Sequence, residues 1–158
     1  MNNQLVSIIM SVYNNEDTVK DSIESILSQS YKNIELIITD DYSSDRSLSI
    51  IKNYLDEKNV KLIENNENKG LTKSLNTMIK VASGEFIARQ DADDISLDKR
   101  IEVQVELINK LNLDFVSSRA INIQTNKFVP NISFNFPYKF LIKYKNPFVH
   151  GTLMIKKD

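Results

Sequence analysis

Three carboxylates crowd into four residues at Asp91-Ala92-Asp93-Asp94, two residues after the apolar stretch Phe86-Ile87-Ala88. Acids that close repel one another unless a cation or solvent relieves them. Hard divalent cations take oxygen ligands, and Mg²⁺ in particular uses one or two carboxylates together with substrate phosphates. The chemistry these residues suit is the binding of a metal-bridged diphosphate. A D-x-D triplet is weak evidence alone, because twelve Asp in 158 residues give roughly one such triplet by chance. A solvated acidic turn capping the next helix would present the same residues, so the surrounding elements must decide.

Those elements alternate. Leu5 to Val12 is a nearly continuous apolar run, as expected of a parallel strand buried on both faces. Asn14 or Asn15 can cap a helix carrying Val19, Ile23, Ile26 and Leu27 on one stripe. Ile34 to Thr39 reads as a second strand ending at Asp40-Asp41. Ser43 or Ser44 is placed to cap a helix with Leu48, Ile51 and Leu55 inward. Val60 to Ile63 is a short third strand. A third helix carries Leu71, Leu75, Met78, Ile79 and Ala82, with Gly84 at a C-terminal stop. Glu85 to Arg89 is the fourth strand. The fourth helix has Leu97, Ile101, Val105 and Ile108 on one face, Ser96 as its cap and Asp98 in its first turn.

This alternation predicts an α/β fold, an open, mostly parallel sheet with helices on both faces. Such sheets bind ligands beyond the carboxyl ends of their strands, where the strand order reverses. Ser11-Val12-Tyr13-Asn14, Asp40-Asp41 and Asp91 to Asp94 all leave strands at that end. The coincidence favours a site over a bland turn. Beyond Leu113 the pattern changes: residues 114–118 and 120–124 read as short strands, Pro130, Pro137 and Pro147 punctuate an irregular region, Tyr138 to Tyr144 reads as a short helix, and residues 151–155 as a last strand.

Composition bounds the function. A chain of 158 residues fits one domain. A formal net charge of -1 gives no case for nucleic acid as a partner. With no Cys there is no disulfide framework or thiolate site, which suits a reducing, cytoplasmic setting. No stretch approaches transmembrane length. Three Gly, at 70, 84 and 151, are too few and too scattered for a G-x-G-x-x-G or G-x-x-x-x-G-K loop. Phosphate must then be held by metal, side chains or ordinary helix N-termini.

With these segments placed, the sequence resembles the family 2 glycosyltransferases of GT-A fold. Residues 6–14 are similar to that family's first strand, and residues 25–31, Ser-Ile-Leu-Ser-Gln-Ser-Tyr, to its first-helix signature. Asp40-Asp41-Tyr42-Ser43-Ser44-Asp45 resembles the acidic DDGSTD loop, and Asn68-Lys69-Gly70-Leu71 the N-x-G motif. Ser83 to Ile87 leading into Asp91-Ala92-Asp93-Asp94 resembles the D-x-D element, followed by a helix similar at Asp98 to Ile101 and Gln104. Several motifs in order over the chain from residue 6 are far more specific than any one.

The resemblance implies a nucleotide-sugar donor, commonly a UDP-sugar, with Mn²⁺ or Mg²⁺ bridging its diphosphate and inversion at the anomeric centre. It implies nucleotide-binding roles for Ser11, Tyr13, Asp41 and Asp91, metal ligation by Asp93 and Asp94, and a diphosphate or acceptor-side place for His150. Residues 1–158 are expected to form a single GT-A-like domain, C-terminally truncated, with 5–113 the nucleotide-binding half and 114–158 the start of the acceptor half. The family's catalytic carboxylate lies beyond the segment resembling Pro147-Phe148-Val149-His150-Gly151, so no base is assigned. The implied acceptor is a glycan, lipid-linked or protein molecule, with peripheral membrane association at the inner face or oligomerisation as further expectations. The aromatic and basic stretch of Phe134, Phe136, Tyr138, Phe140 and Tyr144 with Lys139, Lys143 and Lys145 could face such an acceptor or pack on the sheet.

The sequence departs from the family pattern in places. Ser11 stands where the family usually has Pro. Tyr42 stands where it often has Gly, which predicts a different loop shape, since Tyr does not easily take a positive φ. Ser74-Leu75-Asn76 replaces a frequent A-R-N, leaving Lys69, Lys73 or Arg89 to supply a basic contact. Two other function classes share parts of this pattern. A non-catalytic module would bind nucleotide or a partner chain without transferring sugar. A phospho-acceptor signalling domain would want acids after strand one and an Asp after strand three, where this chain has Tyr13-Asn14 and Asn65-Asn66.

Overall fold

The structure, a computed structural model, describes residues 3–130 and 148–157. In chain order the elements are β1 (Val6–Val12), α1 (Val19–Leu27), β2 (Ile34–Asp40), α2 (Ser47–Lys52), β3 (Val60–Glu64), α3 (Leu71–Val81), β4 (Phe86–Asp91) and α4 (Arg100–Leu111). Three short strands follow, β5 (Phe115–Ser117), β6 (Ala120–Asn122) and β7 (Lys127–Val129), then a 3₁₀ turn (His150–Thr152) running into β8 (Leu153–Lys156). The expected helix from Tyr138 to Tyr144 and the aromatic stretch around it lie outside the described residues.

The main sheet has the order β3-β2-β1-β4-β8-β5. β1 pairs in parallel with both β2 and β4, and β3 in parallel with β2. β8 alone runs against its neighbours, between β4 and β5. β1, β2 and β3 step in one direction and β4 lies on β1's other side, so the order reverses between β1 and β4. The register brings Ser11 opposite Asp91 at that reversal.

Alternation along each strand divides the core in two. Val6, Ile8, Met10 and Val12 point with Leu36, Ile38 and Ala88 to α1, α2 and α4. Ile9, Ile37 and Ile87 point the other way, to Met78 and Ala82 at α3. Each fully buried Ile, Leu or Val contributes about 1.5–3 kcal/mol, so both sheet faces are strongly specified. The expectation of helices on both faces holds. Among the described residues no helix is long and apolar enough to cross a membrane.

Several local expectations are corrected. α4 begins at Arg100 and no side chain caps it; Leu97 is 73% exposed and precedes the helix. α1 and α2 also lack side-chain caps at their N-cap positions; instead the Asn15 carbonyl accepts from Thr18 and Val19, and Asp45 accepts from the Ser47 amide. α2 stops at Lys52, which leaves Leu55 outside it and exposed. Gly84 is not a helix stop, since α3 ends in extended backbone at Ala82. Its place is a close approach: an added Cβ would lie 2.6 Å from the Ser7 amide nitrogen and 2.7 Å from the Leu5 carbonyl. The hairpin strand β7 was not expected, because three residues ending beside Pro130 carry no readable period.

Beside Gly84, a polar knot interrupts the α3 face. The Glu35 carboxylate accepts from Ser7 Oγ (2.5 Å), Lys61 Nζ (2.7 Å) and the Ser83 amide (2.6 Å). Burial opposes the charge, but these donors win and hold the carboxyl below the usual glutamate range. A depressed native value means stability that is present above the unfolded value and lost as pH falls through the native one. Glu35→Gln should therefore cost about 1–3 kcal/mol at neutral pH and flatten the stability loss on acidification. Denaturant melts at neutral and acidic pH check both; equal neutral stability would show the knot to be idle.

Candidate functional site

The acidic turn is built from the core outward. Ala92 is buried in the cluster on the α4 face, which anchors the turn and sends Asp91 and Asp93 away from the core. The Asp94 amide closes the turn onto the Asp91 carbonyl at 3.2 Å. Beneath it lies a closed polar network. The Gln90 side-chain amide donates to the Asp94 carbonyl (2.7 Å), the Asp91 carbonyl (3.2 Å) and Ser22 Oγ (3.1 Å). Arg100 Nη1 donates to Gln90 Oε1 (2.6 Å) and Ser96 Oγ (2.7 Å), Nη2 to the Arg89 carbonyl (2.6 Å), and Nε to Gln104 Oε1 (3.3 Å). Gln29, fully buried, ties α1 to this layer through the Leu97 carbonyl and the Ile101 amide.

Gln104 carries the network across to the far side of the site. Its amide donates to the Thr152 carbonyl (2.7 Å) and Ser118 Oγ (3.0 Å). The turn from His150 to Thr152 is thereby held against the acids. A Cβ on Gly151 would lie 2.7 Å from Asp94 Oδ2 and 2.9 Å from Asp91 Oδ2, so only glycine lets the backbone come so close without moving a carboxylate.

Charge at the turn is left unbalanced. Asp91 is partly answered by Arg89, whose Nε donates to its Oδ1 at 2.8 Å. Desolvation by the surrounding chain, then the neighbouring Asp91 and Asp93, push Asp94 above the usual carboxylate range. Burial lowers Arg100 to about 10, against the attraction of Asp94 and Asp91, so it remains a cation at neutral pH. Among the described residues no group of three or more potential ligands is arranged as a ready-made metal cage. An ion shared with a diphosphate needs only one or two carboxylates, and it would relieve the crowding that raises Asp94. The donor set fits a shared divalent cation rather than a resident structural one. Asp93 and Asp94 would hold it.

The other expected residues fall around the same mouth. Ser11 is half-buried beside Asp91 in the register, and Tyr13 is 50% exposed just beyond β1. His150 is exposed at the start of the turn that Gly151 brings to the acids. Asp41 stands apart in character. It is 1% exposed; Oδ1 accepts from Asn65 Nδ2 (2.7 Å) and the Lys69 amide (2.9 Å), and Oδ2 from the Gly70 amide (2.8 Å). Burial opposes its charge, and these donors hold it below the usual aspartate range. It clasps the loop before α3 as it stands. Arg89 is committed to Asp91, while the side chains of Lys69 and Lys73 are exposed. Tyr42 takes φ of +67° after all, so the loop keeps the positive φ that its family resemblance associates with Gly. The loops after β1 and β2 are stitched together: Asn14 bonds to Ser43 and Ser44, and Asn15 to Ser47.

Sequence alone assigned Gln90 no role, took Ser96 only as a helix cap, and placed Gln29, Arg100 and Gln104 only within family-like motifs, so their shared network was not foreseen. A signal was present for one of them: Gln104 interrupts the apolar stripe of Ile101, Val105 and Ile108, and an amide there must find partners inside.

Comparison with known proteins agrees with this architecture. EpsE of Bacillus subtilis (strain 168) is 40% identical over 159 residues, covering 96% of this chain and 56% of EpsE. WfgD of Escherichia coli, a UDP-Glc:alpha-D-GlcNAc-diphosphoundecaprenol beta-1,3-glucosyltransferase, is 40% identical over 129 residues, covering 82% of this chain and 51% of WfgD. The chain spans about half the length of these curated relatives. Among solved structures, S. aureus TarS 1-349 in complex with UDP-GlcNAc superposes with a TM-score of 0.81 at 23% identity, over 96% of this chain and 45% of that one. The mannosyltransferase PcManGT from Pyrobaculum calidifontis, in complex with GDP-Man and Mn²⁺, gives 0.74 at 21% identity, over 96% and 44%. At those identities the likeness establishes the shared GT-A fold. The profile of Glycosyl transferase family 2 matches residues 7–157, and the chain belongs to that family.

Proposed function

We propose that this chain binds a nucleotide-sugar donor, a UDP-sugar first among candidates, through Mn²⁺ or Mg²⁺ at Asp93 and Asp94, within an inverting glycosyltransferase. The observation that carries the reading is the acidic turn at the reversal of strand order, with more negative charge than Arg89 alone can answer. Ser11, Tyr13 and Asp91 line the nucleoside and ribose side. Asp41 reaches the base by exchanging its Asn65 partner. His150 sits on the diphosphate or acceptor side. The divalent cation, when bound, stabilises the negative charge that builds on the departing nucleoside diphosphate. The protein's own share is to hold the turn that carries the carboxylates, and the bonds from Gln90 to the Asp91 and Asp94 carbonyls support that role. The acceptor is a glycan, lipid-linked or protein molecule; WfgD's diphosphoundecaprenol substrate supports the lipid-linked class. The reading places the reaction in the cytoplasm, at the inner membrane face for such an acceptor.

Thermal unfolding with UDP, GDP, CDP and ADP, each with and without Mn²⁺, tests the donor site. A ligand at a hundredfold its Kd stabilises by about 2.7 kcal/mol, a shift of roughly 5–10 °C for a domain of this size. A metal-dependent shift with one nucleotide is expected. No shift with any of them would leave the non-catalytic reading in its place.

The two packed glycines separate architecture from site. Gly151→Ala presses on two movable carboxylates and should leave the unliganded Tm nearly unchanged while weakening metal-dependent nucleotide binding roughly 10–100-fold. Gly84→Ala presses on backbone and should lower stability by about 1–3 kcal/mol. Melts and calorimetric titration of both variants check the contrast; intact binding in Gly151→Ala would remove the turn from the site.

A further inference from the structure

Tyr42 leaves β2 between the buried Asp41 and Ser43 with φ of +67°. A bulky side chain is an outlier there, whereas Gly or Asn enters freely. Asn14, at φ of +53° in the facing loop, shows the easier choice, and its side chain accepts from the Ser44 amide. Tyr42 gains nothing comparable. Its side chain is 59% exposed and, among the described residues, makes no hydrogen bond, ion pair or ring contact. Among the described residues no side-chain bond offsets the strained backbone. Strain of this kind concentrates at ligand sites.

The place of the ring supplies the rest. Tyr13, also exposed, leaves β1 on the loop that Asn14 and Asn15 stitch to residues 43–47. Glu16 extends the seam by accepting from the Arg46 amide and donating its own amide to Asp45. Both tyrosines thus stand on one stiffened rim at the carboxyl ends of β1 and β2, next to Asp41. An exposed aromatic face carried on such a rim suits stacking on a planar, π-faced ligand.

We propose that Tyr42 is a donor-contact residue whose ring lies against the nucleobase of the nucleoside diphosphate, a second aromatic surface beside Tyr13. The inference rests on the donor reading above and assigns the base contact to a residue by which this chain departs from the family's usual Gly.

The test is calorimetric titration of the full chain with UDP, GDP, CDP and ADP in Mn²⁺, on wild type, Tyr42→Gly, Tyr42→Asn and Tyr42→Phe, with unliganded melts of each. Tyr42→Gly and Tyr42→Asn should melt at or above the wild-type temperature yet bind about tenfold more weakly, while Tyr42→Phe keeps wild-type affinity. Equal affinity in the Gly and Asn variants, with wild type binding, would overturn the Tyr42 contact and leave the donor site standing. A loss in Tyr42→Phe as large as in Tyr42→Gly would overturn the ring contact in favour of the hydroxyl. A wild type that binds none of the four would fail the donor reading, and this inference with it.

Discussion

Arg100 places a guanidinium under the acidic turn without giving any N–H to a carboxylate among the described residues. Its donors go to Gln90, Ser96, Gln104 and the Arg89 carbonyl. Direct pairing with Asp94 would neutralise that carboxylate. The network instead supplies attraction at a short remove that partly offsets the crowding at Asp94, while the Asp93 and Asp94 side chains stay exposed. A largely buried charge is costly unless its hydrogen bonds are satisfied, and here acceptors from β4, α4 and the connection between them satisfy them.

The same network joins parts distant in sequence. Gln104 reaches the Thr152 carbonyl, so α4 fixes both the acidic turn and the turn bearing His150. Gly151 then lets backbone meet carboxylate. On the other side of the reversal, Asp41 clasps the Asn65–Gly70 loop and Asp45 bonds the Glu16 and Ser47 amides. Acids that look alike in the sequence therefore divide into two kinds. Asp41 and Asp45 spend their oxygens on backbone amides and shape loops. The exposed Asp93 and Asp94 side chains accept no such bond among the described residues.

Much of this was legible in the sequence because each strand of the parallel half is a distinct apolar run and each helix a stripe. The acidic turn was legible for the same reason: it follows a strand that could only be buried. Helix starts were less so, because Ser96 and Ser43 are good caps in isolation but their hydroxyls bond Gln90 and the Asn14 amide, while the Asn15 side chain turns back to the Tyr13 amide. Gly84 was misread because a glycine after a helix usually marks its stop; the close approach to Ser7 is visible only once β1 and β4 pair. Tyr42 was misjudged because steric preference alone argued against a positive φ that the loop imposes. Gln90 and Arg100 were silent, since nothing local in a strand-end Gln or a helix-start Arg tells that the two meet.

The central claim is that Asp93 and Asp94 hold a divalent cation shared with a donor diphosphate. Crystals grown with Mn²⁺ and UDP, with anomalous diffraction collected at the manganese edge, test it most directly. The account predicts one strong anomalous peak between these carboxylates and the diphosphate, at the reversal between β1 and β4. A bound nucleotide with no peak there, or a peak at another acidic group, would contradict it.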